Sequence, residues 1–433
     1  MPKLVYLRRL WVLMATIFVD MMGNLIVIPL LPFYAKEYQA ADWEVGWLIA
    51  SFALAQLVTA PLWGWLSDHW GRRPVILWSL VISAVAFVVF ALAESVWLLL
   101  ISRLVQGVGG GTIGVVQAYV SDAVPPKART QALGWVTVAT SAGVMIGPAV
   151  GSWATLISDQ APGFVAAGLC LLSLLFAYFY LGEAQEHDEH EEAAEEPRRT
   201  PLRTAIFRIV RHPGSPVSRL IWVYTVSMMA FMAMNGMMVL YLDRVFGATE
   251  SNIGYFYVYV GGISLLMRAL LLGPLVTRLG EAWTMRVGAL ALLLAYLTLP
   301  VADDLGLVTL ALLLTPEVSA RLGFLVPLAQ PWLFLGLTVM FVPIGTSLLF
   351  PATTSMVSQH SPRRETGQSL GVQQAFGGVS RVLGPLWSTA AFQYLAIAST
   401  FWINTGLMAV VLLISAGMHE VGAAPRPLPL EPE

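Results

Sequence analysis

Polar residues fall in short clusters along this chain, and between them run almost wholly apolar stretches of about 20 residues. Twelve can be read, at about 9–33, 43–66, 74–93, 96–120, 131–156, 162–182, 218–244, 252–277, 283–302, 331–356, 367–394 and 397–418. Each is long enough for an α-helix to cross a bilayer, where only a helix or a closed barrel can satisfy its own backbone. The pattern predicts an all-α membrane protein of twelve transmembrane helices. Composition agrees, with 57% hydrophobic and 12% charged residues, against about 25% charged in a soluble domain. Little chain is left over for a sizeable soluble domain. The net charge of -2 carries no message about nucleic acid, because acids and bases are segregated along the chain. The single cysteine, Cys170, lies in an apolar run and excludes an intrachain disulfide. The first apolar run is too long for a cleaved signal peptide, and none is expected.

An even number of spans puts both termini on one side, and the basic residues choose it. Lys3, Arg8, Arg9, Arg72, Arg73, Lys127, Arg129, Arg198 and Arg199 share that side with most of the rest, while Lys36, Arg244 and Arg321 lie opposite. By the positive-inside rule both termini are cytoplasmic. The expected organisation is a first six-helix bundle over 1–182, a linker over 183–217 and a second bundle over 218–419. An outward-facing insertion at 303–330 and a cytoplasmic tail at 420–433 complete it. The linker opens acidic, with His187 and His190 among carboxylates, then turns basic. It reads as a solvated connection rather than a metal or regulatory segment, with a short interfacial helix expected from Arg203 to Arg211. The halves echo one another. Gly64 to Gly71 returns as Gly273 to Gly280, and Gly134 with Gly147-Pro148 returns as Gly371 with Gly384-Pro385. The offsets of the two echoes differ by the length of 303–330, which locates the insertion.

The loop between spans 2 and 3 reads GWLSDHWGRRPV and gathers Asp68, His69, Arg72 and Arg73 into six residues. Gly64 and Gly71 allow close approach and a chain reversal. Asp68 beside Arg72 can act as a charged latch between helices. Gly64, Leu66, Asp68, Gly71, Arg72 and Arg73 together resemble the signature between helices 2 and 3 of the major facilitator superfamily. The resemblance implies two pseudo-symmetric six-helix bundles related by an axis along the membrane normal, with this loop as a conformational gate. Asp20, Gly23, Pro29 and Pro32 further resemble the first helix of its drug–proton antiporter branch, tetracycline exporters in particular. Leu99, Arg103 and Gly107 are similar to its fourth-helix motif, which implies a part in proton coupling.

Asp20 is the one carboxylate placed deep in the membrane. A charge there costs several kcal/mol unless it meets water or a partner, so it is read as functional, with a structural ion pair as the competing reading. Arg103 stays charged at any working pH and can hold substrate or act on Asp20. It lies about 10 Å nearer the outer face, a gap that tilt or its long side chain has to close. Gly143, Gly147, Pro148 and Gly151 in span 5 permit close helix contact. Together they resemble the fifth-helix motif of antiporters, which points to export. Arg268 and Arg381 add buried positive charge in the second half, which favours anionic, zwitterionic or metal-chelated cargo. The competing reading bonds them to carbonyls freed near Gly377, Gly378 or Pro385. Asn24, Gln56, Gln106, Gln117, Asn235, Tyr257 and Gln373 complete the candidate cavity. The methionines of span 7, MMAFMAMNGMM, form either an adaptable wall or a lipid-facing filler.

No metal spacing, nucleotide loop or nucleophile constellation is present, so an enzyme or receptor has little to stand on. The expected activity is proton-coupled export of amphiphilic organic molecules by alternating access, with transport of anionic lipids, lysolipids or other organic anions as the alternative. The expected partners are the cargo, protons and lipid, with no nucleic acid. A monomer in the bacterial inner membrane is expected, with no cofactor beyond the proton gradient and no metal.

Overall fold

A computed structural model describes residues 2–124, 126–182, 202–302, 304, 331–362 and 365–418. Ten described helices are long and apolar enough to cross a membrane. Spans 1 to 6 are Trp11–Glu37, Asp42–Trp70, Arg72–Ala91, Val96–Val120, Gly134–Thr155 and Ala161–Tyr180. Spans 7 to 10 are Pro216–Phe246, Ile253–Leu279, Glu281–Val301 and Trp332–His360. Two more helices follow. Span 11, Thr366–Tyr394, has the length but is more polar, and span 12, Ser399–Ser415, is apolar but only 17 residues long. The expected insertion at 303–330 and tail at 420–433 lie outside the described residues, apart from Asp304, as does 183–201 of the linker. Its remainder forms a helix, Leu202–Arg211, as the basic and apolar spacing predicts.

Two spans of the first half are broken, one at prolines and one at a glycine run, while Pro61, Pro148, Pro351 and Pro385 sit inside continuous helices. Pro29 and Pro32 divide span 1 into Pro2–Val27, a 3-10 turn at Ile28–Leu30, and Leu31–Glu37. Span 4 is not continuous. It stops at Gly109 and resumes at Thr112, so its glycine run is a break in the helix. Span 2 repairs that break: Gln56 Nε2 donates to the Gly110 carbonyl at 2.7 Å, and Trp63 Nε1 donates to the Val108 carbonyl. Backbone freed from a helix at membrane depth needs such donors.

The repeat seen in sequence is also a repeat of structure. Span 5 packs along span 1, and span 11 packs along span 7. Gly147 faces the Met22 carbonyl of span 1, and Gly384 faces Met232 and Ala233 of span 7. Gly71 and Gly280, equivalent by sequence, both end a helix with left-handed φ, +93° and +80°. A side chain at either would be strained, which is why the turn after spans 2 and 8 uses glycine. The halves meet where span 2 packs on span 11 and span 5 packs on span 8.

Candidate functional site

The two ends of the molecule differ. At the end away from the termini, the halves are in tight contact. A Cβ at Gly46 would stand 2.1 Å from Thr389 Oγ1 of span 11, and one at Gly254 would stand 2.8 Å from Ser152 Oγ of span 5. Two ion pairs cross between the halves here: Lys36 to Asp243 at 2.8 Å and Arg244 to Asp42 at 2.7 Å. The Arg244 guanidinium also lies over the Phe392 ring, and Gln393 Oε1 accepts from the Trp43 backbone N–H. At the terminal end, Gly64, Gly134, Gly273, Gly367 and Gly371 have open space where a side chain would go. The halves are in contact at the far end, while at the terminal end these glycines meet no atom of the opposite half. Sequence reading missed the two ion pairs. Its only signal was that Lys36 and Arg244 break the basic bias.

One far-end carboxylate responds to this closure. Glu250 is pushed above the usual carboxylate range, first by burial and then by the charges of Asp159 and Glu37. The folded protein therefore holds that proton more tightly than the unfolded chain does. The contribution to stability is present at low pH and is lost as pH rises through the folded value. Glu250→Gln should flatten the fall in melting temperature between pH 5 and pH 8. An unchanged slope would remove Glu250 from the account.

The gate loop is bonded within the first half. Arg72 donates to Asp68 Oδ1 at 2.5 Å, to Asp122 Oδ2 at 2.9 Å and to Ser67 Oγ at 2.6 Å. Arg73 donates to the Tyr178 carbonyl at 2.7 Å. Asp68, Arg72 and Asp122 thus form a cluster of ion pairs within the first half, and sequence reading did not single out Asp122. In the second half Thr277, at the Asp68 position, bonds only the Pro274 carbonyl among the described residues.

Asp20 is buried in span 1, 8% exposed, near Cys170 of span 6. It has no hydrogen bond or ion pair among the described residues. Arg103 does not reach it. Its guanidinium donates to Gln106 Oε1 and, at 3.3 Å, to Asn24 Oδ1, one turn beyond Asp20, and lies 4.8 Å from the centre of the Phe52 ring. The predicted depth gap is real, and Asn24 stands in it. Arg103 Nε and Nη2 are buried without a hydrogen-bond partner among the described residues.

Between the halves lies a cavity of about 420 Å³, within the range of small-molecule sites. Leu25, Thr140, Ser141 and Val144 line it from the first half. The second half contributes Asn235, Tyr257 and Arg268, as expected, with Tyr224, Ser264, Thr346, Phe231, Phe350 and others. Met228, Met234 and Met238 of span 7 face it, so the methionine run is in part cavity wall. The remaining candidates do not line it. Arg103, Asn24 and Gln106 bond one another within the first half, with buried Asp20 one turn before Asn24 on span 1. Gln56 is used by the span 4 break, and buried Gln373 donates to Thr354 Oγ1 at 2.9 Å. Gln117 is exposed on span 4, and Arg381 is half-buried on span 11 near Tyr224. The expectation of one chamber shared by Asp20 and all three arginines is therefore corrected for this conformation: of those four, Arg268 alone lines it. The reason is local: Gln56 is spent on backbone freed at the span 4 break, Arg103 on Gln106 and Asn24, and Gln373 on Thr354. Thr140, Ser141, Ser264 and Thr346 were missed because isolated hydroxyls are common in any transmembrane helix.

Two pseudo-symmetric helical bundles around a central cavity, bridged by ion pairs at one end, define a membrane transporter of the alternating-access kind. The chain belongs to the Major Facilitator Superfamily, whose profile matches residues 13–333. It is 29% identical over 421 residues to a tetracycline resistance protein, class E, of Escherichia coli, covering 95% of each chain. It is 26% identical over 377 residues to multidrug resistance protein 2 of Bacillus subtilis (strain 168), covering 86% of each. The crystal structure of the nucleoside transporter NupG matches with a TM-score of 0.71, covering 95% of this chain and 98% of its own, at 12% identity. That last likeness is one of fold.

Proposed function

We propose that the protein exports amphiphilic small organic molecules in exchange for protons, across a bacterial inner membrane, with both termini in the cytoplasm. The observation that carries this is the cavity between the halves, with ion pairs bridging the halves beyond it at the far end. The basic bias of the terminal side makes this the inward-open state. Similarity along the whole chain to tetracycline and multidrug resistance proteins supports the export direction, as does the run of span 5 glycines on span 1. In this reading cargo enters from the cytoplasm against the methionine and phenylalanine wall. Asp20 is the proton site, because it is the buried carboxylate without a fixed partner. Asn24 and Gln106 hold Arg103 one turn from it, and the guanidinium's free donors can turn toward Asp20 when it ionises. Closing the terminal end brings Asp68 and Arg72 against the second half, while the Lys36–Asp243 and Arg244–Asp42 pairs part at the far end. Exposed pairs of this kind are worth about 0–1 kcal/mol each, weak enough to exchange within a cycle.

The test is transport by everted vesicles with an acidified lumen. Tetracycline or a lipophilic dye should accumulate inside them and leak out when nigericin collapses the pH difference. Accumulation indifferent to nigericin would remove proton coupling, and none across a drug panel would remove export.

A further inference from the structure

We propose that the central cavity takes its cargo as an organic anion, with a carboxylate, sulfonate or phosphate group held on the Arg268 guanidinium. This rests on the export reading and names the charge class of its substrate. Arg268 is the one charged side chain among the residues lining the cavity. Its only hydrogen bond among the described residues is a long one, 3.5 Å from Nη1 to Ser141 Oγ across the gap between the halves. It has no ion pair and no bond to a backbone carbonyl among the described residues, so the structural role that the nearby glycines and proline offered it is not taken up. A guanidinium carries five N–H donors in a planar fork that matches an oxyanion. Here nearly all of that capacity is left open toward the cavity.

The backbone adds a second, independent observation. Residues Met267–Leu271 form a π turn inside an otherwise α-helical span 8. Such a turn inserts an extra residue and rotates the side chains that follow by about 100° relative to those before it. It carries Arg268 and occurs where the helix borders the cavity. Arg381 of span 11 adds a second guanidinium near Tyr224, itself a lining residue. No lining residue is acidic. A cationic amphiphile would meet repulsion with nothing to offset it. An anion with an apolar body would have its head on Arg268 and its body against Met234, Phe231 and Phe350.

Equilibrium binding to the purified full-length protein tests this with three probes that share one body: pyrenebutyrate, pyrenebutanol and pyrenebutyl-trimethylammonium. Pyrenebutyrate should bind at least about tenfold more tightly than the other two, with an affinity that falls as salt rises. Arg268→Gln should abolish that preference, and Arg268→Lys should keep part of it. A parallel arm with 1-oleoyl lysophosphatidate separates a free organic acid from a lipid headgroup. Preference dependent on Arg268 in either arm supports the proposal and names the source. Equal or tighter binding of the cation by the wild-type protein, or a preference that survives Arg268→Gln, overturns it, as does no binding in either arm. The wild-type comparison decides even if the glutamine variant folds poorly. Binding uses no proton gradient, so these failures leave the export reading standing. An intact anion preference in a protein that fails the vesicle assay would defeat export alone.

Discussion

Asp20→Asn will reduce proton-driven efflux to the level of vesicles without the protein, a loss of about a hundredfold or more, while counterflow exchange of drug for drug persists. Asn keeps the shape and polarity of the side chain and removes only its ability to take and release a proton. A charged carboxylate at this depth costs about 2.5–3.5 kcal/mol, and Asp20 has no hydrogen bond or ion pair among the described residues to offset it. The protein keeps it against that cost, so the variant should melt no lower than the wild type. Loss of coupled transport without loss of stability is the signature of a proton site. A structural ion-pair partner would behave in the opposite way, with lower stability and partly retained coupling. Asp20→Glu should recover part of the efflux. Undiminished uptake of drug by acid-loaded everted vesicles carrying the Asn variant would falsify the assignment.

Gly147→Val will disrupt the first half, with a melting temperature lower by several degrees and poor recovery from the membrane. Gly143, Gly147 and Gly151 lie on one stripe of span 5 and face the carbonyls of Phe18, Met22 and Ile26, one turn apart on span 1. A Cβ at Gly147 would stand 2.6 Å from the Met22 oxygen and 2.9 Å from Leu25 Cβ. The obstacle is backbone, which cannot rotate away, so span 1 must move. Overpacking of this kind costs about 1–3 kcal/mol, and moving span 1 also displaces Asp20, which sits between Phe18 and Met22. The control is Gly168→Val in span 6, where a Cβ meets open space. Equal melting of the two variants would show that the stripe is not a packing constraint.

Much of this was legible in the sequence because a bilayer imposes a one-dimensional rule. Length and apolarity place the spans, so helix ends such as Asp42, Val96 and Ala161 fall within a residue or so of the expected limits. Pro29 and Pro32 announced the break in span 1. The glycine echo located the pseudo-symmetry, and the matching φ at Gly71 and Gly280 follows from it. The break in span 4 was less visible, since a run of glycines is compatible with a packed helix and with an interrupted one.

From sequence alone follow the class of fold, the echo between the halves, the charged loop between spans 2 and 3 and the lone deep carboxylate. Hydropathy and backbone chemistry act locally and leave their mark on neighbouring residues. Which polar groups share the cavity emerges from helix packing. Where a side chain points around its helix depends on partners distant in sequence, and on a π turn that no periodicity announces. For that reason Arg268 reaches the cavity while Arg103 bonds Gln106 and Asn24. The contacts between the halves likewise exist only in three dimensions, because the Lys36–Asp243 and Arg244–Asp42 pairs join residues about 200 positions apart in sequence.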